Sequence, residues 1–227
     1  MSMAKSLNAN LKSYLRKDEK LLLSIAEVCD PQYTALIIVD MQNDFVYGRG
    51  QSTPKRGEPL TPPQEIIPDL REFVEFCRLV GVPIFWIVTH HAGDIDFPAY
   101  KALIARRAAL PVCVEGTKGT EIIKELVPGK EERLFVKHGY DAFTGTDLDV
   151  CLKNRNIRTL IMSGVGTGTC VAATLIHGFH LGFYIVVSPE LTATVTYGRK
   201  ELFFDGFQQH YALIASSKEI AAMWNKP

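Results

Sequence analysis

The chain has 227 residues, 47% of them hydrophobic, with 25 lysine plus arginine against 25 aspartate plus glutamate. That length supports one sizeable domain, and the charge balance supplies no global field for nucleic acid or an anionic membrane surface. No apolar run approaches the roughly 18 residues of a membrane-spanning helix, and five cysteines without a CxxC pair fit reduced thiols better than a disulfide framework or a structural zinc site.

The N-terminal stretch is polar where a secretory leader would carry an apolar core, so a cytoplasmic protein is expected. Residues 4–28 read as a helix, with Leu11, Leu15, Leu22 and Ile25 on one face and lysines elsewhere. Residues 1–32 are therefore expected to form a helical extension ahead of a main domain over 33–227. Residues 34–39 are a nearly continuous apolar run that ends at Asp40. Residues 46–63 are rich in glycine, proline and charge, the pattern of a long loop that could serve as a lid.

A helical stripe follows over 64–80, carrying Ile66, Ile67, Leu70, Phe73, Val74, Phe76 and Leu79 between Pro62-Pro63 and Gly81. Residues 82–89 read as a second strand, and 134–137 as a third after the Pro128-Gly129 turn. A helix is expected over 147–154 and a strand over 158–162, followed by a Gly-rich turn. Val171, Ala172, Leu175, Ile176 and Phe179 then recur at helical spacing up to Gly182. Strands over 183–187 and 211–214 and a short final helix complete the series. Such alternation predicts a three-layer α/β/α fold around a mostly parallel sheet of about six strands. In sheets of this kind the site lies outside the carboxyl ends of the strands, and Asp40, Lys137 and Cys170 each fall there.

Cys170 is expected in the first turn of its helix, where backbone N–H groups and the helix dipole favour thiolate and lower the thiol pKa. No second cysteine is expected near it.

Three segments carry a resemblance to a known family. The first is Ala35-Leu36-Ile37-Ile38-Val39-Asp40-Met41-Gln42-Asn43-Asp44-Phe45. The second is Val136-Lys137-His138-Gly139-Tyr140-Asp141-Ala142-Phe143, continuing through Thr146-Asp147-Leu148. The third runs from Gly164-Val165 through Thr167 to Cys170-Val171, with Thr174 following. Together they resemble the isochorismatase-like cysteine hydrolases over residues 33–214. The resemblance implies a catalytic triad of Asp40, Lys137 and Cys170, an oxyanion hole from the N–H groups of Gly166 and Cys170, and a cis peptide between Val165 and Gly166. It also implies a cysteine amidohydrolase that forms a thioester with a small amide or ureido compound and releases ammonia, without a cofactor, in a homodimer or homotetramer. An isochorismatase-type vinyl-ether hydrolase and a catalytically silent thiol-bearing binding protein are the competing readings. Gly166 and Gly168-Thr169 depart from the commoner Ala and Asn-Val of the family, which leaves more room beside the oxyanion hole.

Phe45, Trp86, Tyr140 and Phe143 flank the motifs and are expected to wall an apolar pocket. Arg49, with Lys55 and Arg56, is placed to grip a substrate carboxylate from the long loop. His90, His91, Asp94 and Asp96 are ligand-type residues after the second strand, but they do not reproduce the Asp-x-His metal motif of the nicotinamidases in this superfamily. A metal-free enzyme is expected.

Overall fold

The computed structural model describes Tyr14 and residues 21–48, 62–107, 109, 111–194 and 200–225. Within them six strands form one sheet: β1 (Thr34–Val39), β2 (Ile84–Thr89), β3 (Arg133–Lys137), β4 (Thr159–Val165), β5 (Tyr184–Ala193) and β6 (Ala212–Ile214). Their order is β3-β2-β1-β4-β5-β6, and every neighbouring pair is parallel. Parallel neighbours need crossovers, and the longer helices that serve or flank them are α1 (Ile67–Val80), α2 (Pro98–Arg106), α3 (Leu148–Asn154), α4 (Ala172–His180), α5 (Glu201–His210) and α6 (Ser217–Trp224).

Side-chain alternation in β1 divides the core into two layers. Leu36 and Ile38 meet α1 and α6 on one face, while Ala35, Ile37 and Val39 meet α3, α4 and α5 on the other. Helix α1 shows the logic: Pro68 sits in its first turn, Leu70, Phe73, Val74 and Cys77 bury one stripe, and Gly81 closes it at φ 76°. From β1 the chain winds outward to β3, and from β4 it winds the other way to β6. The crevice outside the carboxyl ends of β1 and β4 is thus the topological switch point, where open α/β sheets hold ligands.

Gly164 makes that crevice possible. It pairs with Val39 across β1 and β4 and has φ +95°. A Cβ there would lie 2.0 Å from the Val39 carbonyl oxygen and 2.6 Å from its nitrogen. Gly164→Ala therefore combines a forbidden backbone conformation with a backbone collision. It is expected to cost at least about 3 kcal/mol in a denaturant titration; an unchanged midpoint would show that the two strands do not approach this closely.

The strands other than β5 and the helices α1, α3 and α4 match the sequence pattern within a few residues. The helix expected over 4–28 lies mostly outside the described residues. In its described part, residues 21–23 are not helical and only Ile25–Val28 makes a turn, opened by a Ser24–Glu27 capping box, with Leu22 and Ile25 against the core. Helices α2 and α5 have no counterpart among the expected elements. Strand β5 runs past Pro189, six residues beyond its expected end. No helix among the described residues is long and apolar enough to cross a membrane.

Candidate active site

Asp40 leaves the end of β1 at φ 55°, a left-handed conformation that short polar residues tolerate, while its N–H still donates to Ile87 O at 2.9 Å. That turn directs the carboxylate toward β2 and β3. Lys137 closes β3, and its ammonium donates to Asp40 Oδ2 at 2.9 Å, to Thr89 Oγ1 at 2.5 Å and to Gly139 O at 2.9 Å. Thr89 Oγ1 donates in turn to Asp40 Oδ1 at 2.9 Å. The ion pair is sealed from water, with side-chain exposures of 0% for Lys137 and 1% for Asp40. Burial alone would lower the Lys137 pKa, but the negative charge of Asp40 and the Cys170 group outweigh it and hold the ammonium above its ordinary value.

Gln42 is the support that the sequence reading left without a role. Fully buried, it donates to Thr89 O at 2.9 Å and Thr120 O at 2.8 Å and accepts from Thr89 N–H at 2.7 Å. It thereby clamps the ends of β1 and β2 together and fixes the threonine that bridges acid and lysine. Its place two residues after Asp40 was visible; its contacts, 47 and 78 residues away in sequence, were not.

Cys170 sits in a wide turn, Thr167–Val171, that leads into α4. The Val165–Gly166 peptide is cis. Gly166 O accepts from Thr169 N–H at 3.0 Å and from Val171 N–H at 3.2 Å, and neither bond uses the N–H of Gly166 or Cys170. The Asp40 carboxylate and the Lys137 ammonium both act on the Cys170 thiol, which places the three chain-distant residues in one cluster. The expected thiolate is not what this cluster holds. Burial first, then the charge of Asp40, push the Cys170 thiol up to about 12, with Lys137 opposing. Stabilisation by the helix dipole is outweighed because burial disfavours the anion, and because the Asp40 carboxylate already occupies the lysine.

A second cysteine also lies closer than expected. Cys113 is buried, its N–H donates to Asp44 Oδ2 at 2.7 Å, and burial first, then the charges of Asp40 and Asp44, push its thiol up. It comes from the loop after α2, at φ 48°, a placement with no sequence signal.

Of the four aromatic residues expected to wall a pocket, Tyr140 is brought to this corner. It follows the Gly139 that binds Lys137, is 36% exposed, and meets Tyr100 edge-on at 6.0 Å. Phe45 packs against the core on the α1 side. Trp86 is a correction: its ring is buried in mid-sheet, and Nε1–H donates to Glu132 Oε2 at 2.7 Å, at the amino end of β3 and the opposite edge from Asp40. Trp86→Phe is expected to lower stability by about 1–3 kcal/mol in a denaturant titration while leaving the alkylation rate of Cys170 unchanged. Phe143 is a second correction, stacked on Phe183 at 6.1 Å beneath Gly178 of α4. Arg49, Lys55 and Arg56 lie outside the described residues.

His91 has both ring nitrogens engaged, Nδ1 with Asp96 Oδ1 at 2.8 Å and Nε2 with the Tyr100 hydroxyl at 2.9 Å. Its ring stacks on Tyr100 with centroids 4.5 Å apart. These residues also form part of the wall of a cavity of about 390 Å³ that Asp40, Lys137 and Cys170 do not line. Among the described residues no three His, Cys, Asp or Glu side chains come together as a metal site would require.

A family model described as the isochorismatase domain matches residues 34–219. The ureidoacrylate amidohydrolase RutB of Enterobacter sp. (strain 638) is 31% identical over 175 residues, covering 71% of this chain and 76% of that protein. The solved N-carbamoylsarcosine amidase from Thermoplasma acidophilum aligns with a TM-score of 0.67 at 26% identity, covering 81% of this chain and 96% of its own. A cysteine hydrolase from Pseudomonas syringae pv. phaseolicola 1448A aligns with a TM-score of 0.73 over 92% of this chain and 98% of its own; at 19% identity it speaks to the fold alone.

Proposed function

The chain belongs to the isochorismatase family of hydrolases, and from that membership and the geometry of the cluster we propose a cysteine amidohydrolase that cleaves the C–N bond of a small amide or ureido compound. The observation that carries the reading is a water-excluded carboxylate–ammonium pair at the switch point of the sheet, close enough to the buried Cys170 thiol to act on its proton. Its chemistry starts from a neutral thiol. As sulfur attacks the carbonyl carbon, the S–H proton passes to Asp40 and a tetrahedral oxyanion forms. The N–H groups of Gly166 and Cys170 receive that oxyanion, each donor being worth roughly 3 kcal/mol in the transition state. Asp40 then delivers the proton to nitrogen, the C–N bond breaks, and ammonia leaves a thioester on Cys170. Water attacks the thioester, giving a proton to Asp40 and acid as product, and the proton returns to sulfur. Lys137 stays charged throughout and holds Asp40 in place for both transfers.

Ureido and carbamoyl compounds are the substrate class this reading favours, because two relatives are named for such substrates. No metal takes part in the proposed cycle, since the sulfur supplies the attacking electron pair and backbone N–H groups receive the oxyanion. A vinyl-ether hydrolase would have no use for a thiol beside the acid.

A coupled ammonia assay over N-carbamoyl amino acids, ureidoacrylate and simple primary amides tests the proposal. Ammonia release from at least one ureido compound, unchanged by a chelator, is the expected result. Silence across the panel combined with cleavage of a vinyl ether would overturn it.

A further inference from the structure

The room that Gly168 leaves beside the turn is filled from another part of the chain. A Cβ built on Gly168 would lie 2.1, 2.4 and 2.6 Å from three carbons of the Phe203 ring. Phe203 lies on α5, stacks on Phe207 with centroids 6.4 Å apart, and packs against the buried cluster that contains Cys170 and Val171. A ring this close cannot share its place with a side chain at 168: either the ring or the turn must move. Gly168 is flanked by the two groups whose N–H donors the proposed oxyanion hole uses, Gly166 and Cys170, so the ring bears on the backbone that aims them.

The geometry points to Phe203 as a positioning residue that holds the Gly166–Cys170 turn in register through direct contact with Gly168. This rests on the amidohydrolase reading for its kinetic consequence, though not for its structural one. Phe203 fills the space beside Gly168, so its removal is expected to change how well the donors are aimed more than how tightly the substrate binds. A misplacement of catalytic groups by an ångström can cost about a hundredfold in rate.

The test is a double-variant cycle on the full chain with two readouts. Phe203→Ala is expected to lower kcat for ammonia release roughly 10- to 100-fold with KM nearly unchanged. It is also expected to speed iodoacetamide alkylation of Cys170 several-fold, because the ring no longer covers the turn. Loss of folded protein would also speed alkylation, so the buried Cys29 and Cys77 serve as controls, and their alkylation is expected to stay at the wild-type rate. Gly168→Ala is expected to do the same by expelling the ring, and to have no further effect in the Phe203→Ala background, where the space is already open. Phe203→Leu serves in the same cycle should the alanine variant not fold, with the same pattern. Fully additive effects, or a Phe203 variant with unchanged kcat and alkylation, would overturn the assignment. Absence of any ammonia release from the wild-type protein would defeat the amidohydrolase reading alone, since the alkylation cycle needs no substrate and still decides whether the contact governs the turn.

Discussion

Cys170→Ala is expected to abolish ammonia release, lowering kcat by at least about 10⁴-fold, with the protein still folded. The side chain is small and buried, so its loss leaves a minor cavity, and it carries the sulfur that attacks in the proposed mechanism. Cys170→Ser discriminates further. A hydroxyl keeps the shape but is a poorer nucleophile, and retention of more than about a hundredth of the rate would show that sulfur does not attack. The wild-type enzyme should also lack the rise in rate near pH 8.5 that an ordinary thiol gives. The folded thiol keeps its proton to about pH 12, so no thiolate accumulates between pH 7 and 10. The same shift acts on stability with a definite sign. Above about pH 9 the unfolded chain loses the thiol proton and the folded one does not, so this group makes stability fall as pH rises from there toward 12.

Lys137→Met is expected to destabilise the protein by about 3–5 kcal/mol and to eliminate turnover, because it leaves the Asp40 carboxylate buried without a counter-charge. The informative comparison is Asp40→Asn combined with Lys137→Met. Removing both charges from a buried pair is often close to neutral, so most of the stability should return in a denaturant titration while activity stays absent. A double variant as unstable as the single one would mean that the pair stabilises the fold by more than mutual neutralisation. The pair's contribution also has an alkaline limit. The Lys137 pKa lies above its ordinary value, so this stabilisation is complete below the unfolded lysine's pKa of about 10.4 and is lost as pH climbs through the folded value.

The sheet was legible because its signals are local. The apolar run of β1, the α1 stripe between Pro62-Pro63 and Gly81, and the turn before Cys170 announce themselves within a dozen residues. Asp40, Lys137 and Cys170 were legible because each ends or follows a strand, and parallel topology sends all such ends to one edge. What stayed hidden depends on contacts between distant segments. Trp86 looked like a pocket wall because it lies three residues before Thr89, but the pleat turns its ring into the α1-side layer and its indole N–H reaches Glu132 at the far edge. The state of the Cys170 thiol depends on burial and on the charges of Asp40 from β1 and Lys137 from β3, neither adjacent to it in sequence. Gly168 was read as open space, and only the tertiary structure shows the ring of Phe203 in it.

The strand order has a consequence for how this chain is made. Acid and ammonium belong to the half that is synthesised first, sulfur to the half that follows, and the seam between them is the β1–β4 pairing. On the proposed mechanism, a nascent chain holds no working chemistry until that seam closes. Two fragments divided between β3 and β4 would each be inert, and would recover turnover only by reassociating along it.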